Sequence, residues 1–295
     1  MKVRVHDPDA HQVFTLLFGL NPAILSQRTM IELYQFEISS YAEKIRFVLD
    51  YKGLDYKKVE VLPAIGQVEV FKLSGQRQVP VLKDEGTVIS DSTSIAEFLD
   101  RKYSEKPVIP TDLKARGQVM LMEQWADDVF GINARKGLIL GMSQNPSFRS
   151  ALLPSTTPDV LKNLVNSIPS LDFLGNLGAS VGMSPDKIKD EIRQNLSWLC
   201  GILSEQPYLT GSEPTLADFT VAALSMYIKF PTGNYIDIPE SVKGKGVFGI
   251  ADNPLYDTFW TWRDKLYSDF RKTSVPSTFT SGNASPSGPT SISID

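Results

Sequence analysis

Two adjacent serines, Ser39 and Ser40, lie where a strand-like run gives way to a helix-like run, and they are well placed for chemistry. The preceding residues 31–36 have strand composition and roughly alternating polarity, whereas the apolar residues that follow recur at helical spacing. Ser40 and Glu43 fit a capping box, which would leave the Ser39 hydroxyl to face a ligand. The first-turn amides and the helix dipole favour an anion at this turn, such as a thiolate.

The remainder of the chain offers this turn few catalytic partners. Both histidines, His6 and His11, lie within the first eleven residues, and Cys200 is the only cysteine. These counts exclude an intramolecular disulfide, a CxxC redox pair and a cysteine-rich metal site, and they leave no histidine for a Ser-His-Asp triad or a His-based metal site in the body of the chain. We therefore expect no metal. Cys200 lies in a periodic apolar helix, so we predict that it is a small buried hydrophobe.

Composition bounds the protein class. The chain has 295 residues, of which 42% are hydrophobic, and this length predicts two globular domains. A net charge of -4 and a pI near 5.4 indicate neither a nucleic-acid surface nor a polybasic membrane patch. The apolar run 13–20 is too short to span a membrane, and the low cysteine content suits reducing, intracellular conditions.

Residues 30–106 predict a first domain with strands, helices and a mixed sheet. Gly53 ends the first helix, and the turn 83–86 joins two strands in a hairpin. Pro80 interrupts an apolar strand pattern, and a cis Val79-Pro80 peptide would explain its presence. The predicted elements are a strand at 31–36, a helix at 40–52, a strand at 56–61, a short helix at 68–73, strands at 79–82 and 87–89, and a helix from 92 to 103 capped by Ser90-Asp91-Ser92.

The second half of the chain predicts an all-helical domain at 113–272, after a proline linker at 107–112. Thr215 and Asp218 form a capping box ahead of an apolar helix. The predicted segments are a long helix at 113–140 that glycines divide or bend, a partly helical excursion at 143–185, helices at 186–203 and 256–272, a loosely attached extension at 1–29 and a disordered Ser/Thr/Pro/Gly-rich tail at 273–295.

Three motifs in this order resemble the cytosolic glutathione transferase family over about residues 30–272. They are Ser39-Ser40-Tyr41-Ala42-Glu43-Lys44-Ile45-Arg46, then Gln78-Val79-Pro80-Val81-Leu82 with Asp91-Ser92, and Tyr208-Leu209-Thr210-Gly211 with Thr215-Leu216-Ala217-Asp218. The details are most similar to serine-type bacterial, particularly cyanobacterial, members. The resemblance implies a thioredoxin-like domain with a mixed sheet and a cis-proline, followed by an all-helical domain.

The resemblance also implies a site for glutathione, which serves as co-substrate. Ser39 matches the residue that donates a hydrogen bond to the glutathione sulfur. Val79 before Pro80 matches the residue whose backbone pairs with the cysteinyl part, and Gln78 is expected near the glycyl end. The remaining expected contacts are Ser92 with the γ-glutamyl carboxylate, Asp91 with the amino group although many members have Glu or Gln there, and Trp125 and Asp128 in the electrophile pocket.

The implied function is conjugation of the glutathione thiolate to small hydrophobic electrophiles by a cytoplasmic homodimer. One alternative is a non-catalytic glutathione-transferase-like module for binding or assembly, which the long excursion and the atypical Asp91 motivate. Another is glutathione-dependent reduction of disulfides or peroxides. In that case Ser39 and Ala42 occupy the positions of the two cysteines of a CPxC motif, so a dithiol mechanism is unavailable.

Overall fold

A computed structural model describes residues 30–61, 66–144, 148–149, 160, 163 and 184–273. Within these residues a four-stranded sheet with helices precedes a helical region. Its elements are β1 (Ile31–Gln35), α1 (Ser40–Tyr51), β2 (Tyr56–Glu60), α2 (Gln67–Ser74), β3 (Val81–Asp84), β4 (Thr87–Ser90), α3 (Ser92–Lys102), α4 (Leu113–Trp125), a π-helical segment (Ala126–Phe130), α5 (Gly131–Gln144), α6 (Pro185–Glu205), α7 (Leu216–Leu224), two 3₁₀ turns (Ser225–Tyr227 and Pro254–Tyr256) and α8 (Asp257–Phe270).

The sheet has the strand order β2-β1-β3-β4 and is mixed, as the sequence predicts. β1 pairs in parallel with β2, and β3 pairs antiparallel with both β1 and β4. Glu85 and Gly86 turn the β3-β4 hairpin with φ angles of +48° and +87°, which is the pattern of a two-residue turn that matches strand twist. The fold is therefore a thioredoxin-like domain followed by a helical region, and the Val79-Pro80 peptide is cis.

Helix α1 is buried on almost every face because it lies between the sheet and the helical region. Its apolar residues share one core with α7 and α8. Phe47 stacks on Phe219 at a ring-centroid distance of 5.5 Å and meets Tyr267 edge-on at 4.7 Å. Burial of such aromatic side chains stabilises the fold by about 2 kcal/mol each. The two regions are thus held together by a common hydrophobic core.

The predicted long helix at 113–140 contains a π-helical segment and continues to residue 144. It consists of α4, the π-helical segment and α5. Gly131 begins α5, and a Cβ there would lie 3.0 Å from Leu224 Cδ1 and 3.2 Å from the Ala126 carbonyl. The glycine therefore permits close packing of this helix against α7. π-helical turns frequently mark functional sites, and this one lies beside α1.

The Thr215-Asp218 capping box is confirmed at the start of α7. The first strand, the second strand and the short helix α2 also lie within a residue of their predicted bounds. Helix α6 is longer than predicted and begins at Pro185. The predicted extension 1–29, the tail beyond 273 and most of the excursion 143–185 lie outside the described residues.

Two features are absent from the described residues. None of the helices seen there combines the length and apolarity needed to cross a membrane. The same residues hold no group of three or more His, Cys, Asp or Glu side chains arranged to bind a metal ion.

Candidate functional site

Strand register brings the three predicted site segments to one end of the sheet. Tyr34 of β1 is opposite Val81 of β3, and Val81 is opposite Ser90 of β4. The Ser39 turn follows the end of β1, the cis peptide precedes the start of β3, and Asp91 follows the end of β4. Because neighbouring antiparallel strands run in opposite directions, these segments lie side by side. Pro80 is buried, Val79 is half-buried and Gln78 is exposed.

Ser39, not Ser40, caps helix α1. Ser39 Oγ accepts a hydrogen bond from the Ala42 amide at 3.3 Å, and its own amide donates to the Phe36 carbonyl at 2.8 Å. The Ser39 carbonyl accepts the first helical bond from Glu43 at 2.9 Å. The side chain is half-buried. Because the oxygen accepts from an amide, the hydroxyl hydrogen is available to a ligand.

The predicted Ser40-Glu43 capping box is wrong. Ser40 is buried as the first residue of α1, and its Oγ has no hydrogen-bond partner among the described atoms. The Glu43 carboxylate instead bonds Arg46 and Arg271, both buried. Burial alone would raise the pKa of Glu43, but the two guanidinium groups hold that pKa at about 2. A distant arginine therefore overrides the local capping pattern.

Asp91 has an unusual backbone conformation, and its side chain caps a helix. Its φ of +77° is rare for a residue other than glycine, and such strain is frequent at ligand sites. Its Oδ1 accepts the Ser94 amide at 2.9 Å and caps α3. Ser92 is buried beside it as the first residue of that helix. The Asp91-Ser92 pair thus forms a helix N-terminus at the end of the sheet.

A buried lysine links the Ser92 helix to the helical region. Lys44 Nζ lies 3.3 Å from Ser92 Oγ, 3.1 Å from Thr93 Oγ1 and 3.0 Å from Asp127 Oδ2, and it also pairs with Glu123. Burial and the charge of Glu123 together raise the pKa of Asp127 to about 6, against the attraction of Lys44. Sequence reasoning missed Lys44, Glu123 and Asp127, because no local pattern indicates partners about 80 residues apart.

Among the described residues, no hydrogen bond, ion pair or ring contact joins Trp125 or Asp128 to the Ser39 turn. Trp125 stacks on Phe130 at 5.8 Å and lines a groove of about 530 Å³. The lining comes from α4, α6 and the loop after α6, and comprises Gln118, Leu121, Met122, Trp125, Trp198, Leu199, Ile202, Gln206, Leu209 and Thr210. Asp128 is exposed and accepts a hydrogen bond from Gln124 at 3.4 Å. Their role in an electrophile pocket stays a prediction.

Tyr41 is a second side chain of α1, besides Lys44, that contacts the π-helical segment. Its hydroxyl donates to the Asp127 carbonyl at 3.4 Å, and Arg135 lies 6.0 Å from its ring centroid.

Cys200 is half-buried rather than fully buried, and burial raises the pKa of its thiol, which disfavours the reactive thiolate.

Comparison with known proteins shows similarity to glutathione S-transferases. Residues 33–107 match the family model for the glutathione S-transferase N-terminal domain. These residues are therefore similar to a glutathione S-transferase N-terminal domain. It is 38% identical to Glutathione S-transferase 1 of Dianthus caryophyllus over 94 residues, which are 31% of this chain and 42% of that protein. The chain thus spans less than half the length of this relative.

Two further similarities cover more of the chain. Prostaglandin E synthase 2 of Danio rerio is 26% identical over 239 residues, or 65% of this chain and 62% of that protein. The crystal structure of beta-etherase LigF from Sphingobium sp. strain SYK-6 superposes with a TM-score of 0.58 and 21% identity, covering 81% of this chain and 96% of that one. At that identity the superposition shows a shared fold across both regions, and not a shared substrate.

Proposed function

We propose that this chain is a glutathione transferase in which Ser39 stabilises the thiolate of bound glutathione. The observation that carries the proposal is the Ala42 amide donating to Ser39 Oγ at 3.3 Å, because it leaves the hydroxyl hydrogen free for a sulfur atom. Ser39 also lies at the N-terminus of α1, whose dipole favours an anion. Each unit by which the thiol pKa falls corresponds to about 1.4 kcal/mol of preference for the thiolate.

The other predicted contacts are arranged around glutathione in this proposal. The backbone of Val79 before cis-Pro80 pairs with the cysteinyl part, and Gln78 lies near the glycyl end. Ser92 binds the γ-glutamyl carboxylate at the N-terminus of α3. Asp91 is the proposed partner of the amino group through its second carboxylate oxygen, since its first caps α3. Lys44 keeps the Ser92 hydroxyl in place through a hydrogen bond of 3.3 Å from Nζ to Ser92 Oγ.

The proposed reaction uses the thiolate as nucleophile. The sulfur forms a bond to an electrophilic carbon, and either a leaving group departs with its electron pair or a conjugated bond accepts the electrons and then a proton. Ser39 does not act as a nucleophile, because the described site has no base to deprotonate it. We further propose the serine-type bacterial class, a cytoplasmic homodimer and small hydrophobic electrophiles as substrates.

The test is binding followed by turnover on one purified protein. Isothermal titration calorimetry with glutathione comes first, with S-methylglutathione as a thiol-blocked probe. A panel of aromatic halides, epoxides and unsaturated carbonyl compounds follows, with conjugates detected by mass spectrometry. We expect binding of both peptides and conjugation of at least one electrophile class. Absence of glutathione binding at millimolar concentration would refute the proposal.

A second candidate is a glutathione-transferase-like module that binds without turnover. The capping role of Asp91 favours it, because the side chain is one methylene shorter than Glu and already occupied at one oxygen. Tight glutathione binding, a bound thiol with an unshifted pKa and no conjugate across the panel would favour this module over the transferase.

A further inference from the structure

A tyrosine from the helical region hydrogen-bonds the backbone on both sides of Ser39. Tyr227 follows α7 in a 3₁₀ turn, and its hydroxyl donates to the Ile38 carbonyl at 2.9 Å. The same oxygen accepts the Ser40 amide at 3.3 Å. The contacts join residues 187 and 189 positions apart in the sequence. One hydroxyl thus clamps the peptide units before and after the proposed thiolate-binding serine.

We propose that Tyr227 is a positioning residue that sets the direction of the Ser39 hydroxyl. The inference rests on the proposed role of Ser39 at the glutathione sulfur. Tyr227 acts through the turn and not on the sulfur, since its hydroxyl already donates its hydrogen to Ile38 and accepts from Ser40.

The clamp removes most of the freedom that the turn would otherwise have. The Ser39 amide donates to the Phe36 carbonyl at 2.8 Å, and Arg46 Nη2 donates to the Glu37 carbonyl at 2.8 Å. With the Ile38 carbonyl and the Ser40 amide also bound, the main remaining variable is the Ser39 side-chain rotamer. The Ala42 amide selects that rotamer. A hydrogen-bond donor held in this way needs little reorganisation when the thiolate forms.

The Tyr227 clamp also determines which backbone amides at the start of α1 are available to a ligand. The Ser40 amide is one of the first-turn amides that have no partner inside the helix, so it would otherwise be available to an anion. Tyr227 occupies this amide, and the Ala42 amide is occupied by Ser39 Oγ. The Ser39 hydroxyl therefore carries a larger share of thiolate stabilisation than an open helix N-terminus would leave to it.

Packing supports a fixed relation between Tyr227 and the turn. Helix α7, which precedes Tyr227, packs along α1. Tyr227 and Ile38 are both half-buried against a hydrophobic cluster that includes Met226, Phe230 and Ile236. Docking of the helical region on the sheet domain thus determines the geometry of the site.

The test replaces Tyr227 with Phe and uses Tyr267→Phe as a matched control. Tyr267 is fully buried, and its hydroxyl has no hydrogen-bond partner among the described residues. The thiol pKa of bound glutathione is measured by thiolate absorbance against pH. For Tyr227→Phe we expect that pKa to rise by about one unit and kcat/KM to fall about tenfold, with the glutathione Kd changed less than about threefold. The control should change none of these values.

Two further measurements make the outcome decisive. In a double-mutant cycle with Ser39→Ala, adding Tyr227→Phe should cause no further rise of the thiol pKa, whereas additive shifts would show that Tyr227 acts independently and would overturn the inference. Amide hydrogen exchange of the 36–42 turn should accelerate in Tyr227→Phe without glutathione present, and unchanged exchange would also overturn it. A wild-type protein that binds no glutathione would refute the proposed function itself, whatever the exchange result shows about the clamp.

Discussion

Arg271, the residue after α8, pairs with Glu43 of α1 through two hydrogen bonds. Nε lies 2.9 Å from Oε1 and Nη2 lies 3.2 Å from Oε2. Both side chains are almost completely buried, and Arg271 also pairs with Asp50 of the same helix. The end of the described chain is therefore bound to the helix that carries the candidate site. A buried pair of this kind is costly to break, because each partner is left as an uncompensated charge.

Glu43→Gln should destabilise the fold and flatten its dependence on acid pH. The Glu43 pKa of about 2 lies below the ordinary value of 4.5, so the carboxylate stabilises the folded state above pH 4.5. That stabilisation, about 3 kcal/mol, is lost as the pH falls from 4.5 to 2. Urea unfolding across this range should show a steeper pH slope for the wild type than for the variant. The exposed Glu205→Gln is the control, and parallel pH slopes for Glu43→Gln and wild type would contradict the prediction.

Ser39→Ala and Ser40→Ala should have different effects on stability and on activity. Loss of the Ser39 cap costs about 1 kcal/mol, raises the pKa of the bound thiol and slows conjugation, while glutathione affinity changes little. Ser40→Ala removes a buried oxygen without a hydrogen-bond partner among the described atoms, so stability should stay the same or rise. Thermal unfolding and pH-rate profiles of both variants provide the comparison. An unchanged pH-rate profile and turnover in Ser39→Ala would refute its role as activator.

The comparison of Ser39 with Ser40 also shows what the sequence could and could not predict. The bounds of β1, β2 and α2, the Gly53 stop and the Thr215-Asp218 box depend on neighbours in the sequence, and those predictions are confirmed. The Ser40-Glu43 box failed because Glu43 has a stronger partner in Arg271, 228 residues away. Lys44 was missed for the same reason, since its carboxylate partners lie on another helix. Long-range electrostatic pairs override local capping when both partners are buried.

Gly246→Ala should be among the most destabilising glycine substitutions. A Cβ at this position would lie 1.9 Å from the Ile228 carbonyl oxygen and 2.7 Å from Lys229 Cα, which are backbone atoms that cannot move aside. The bridge between Lys229 and Gly246 would have to open, at a cost of about 3 kcal/mol. Gly201→Ala in α6 is the matched control, because a Cβ there meets nothing within 4 Å and should stabilise the helix by about 0.5 to 1 kcal/mol. Equal unfolding midpoints for the two variants would contradict the steric argument.

Lys44→Met should weaken both the fold and glutathione binding, and more so at alkaline pH. The substitution leaves Glu123 and Asp127 without their shared ammonium partner, and removing one member of a buried ion pair costs about 3 to 5 kcal/mol. Burial already raises the Asp127 pKa to about 6 while Lys44 opposes that shift, so without Lys44 the carboxyl should stay protonated to higher pH. A raised pKa destabilises the fold as the pH increases through it, so the loss should be smaller at pH 5 than at pH 8.

Urea unfolding at pH 5 and pH 8 tests whether the loss of stability increases with pH, with the exposed Lys187→Met as control. The double variant Lys44→Met with Asp127→Asn should recover part of the stability lost at pH 8, because it removes one of the two carboxylates that would otherwise be left without their partner. Calorimetry with glutathione should show weaker binding in Lys44→Met, since Nζ no longer holds Ser92 Oγ at 3.3 Å. A loss of stability that is equal at both pH values would exclude the charge mechanism and leave only a packing defect.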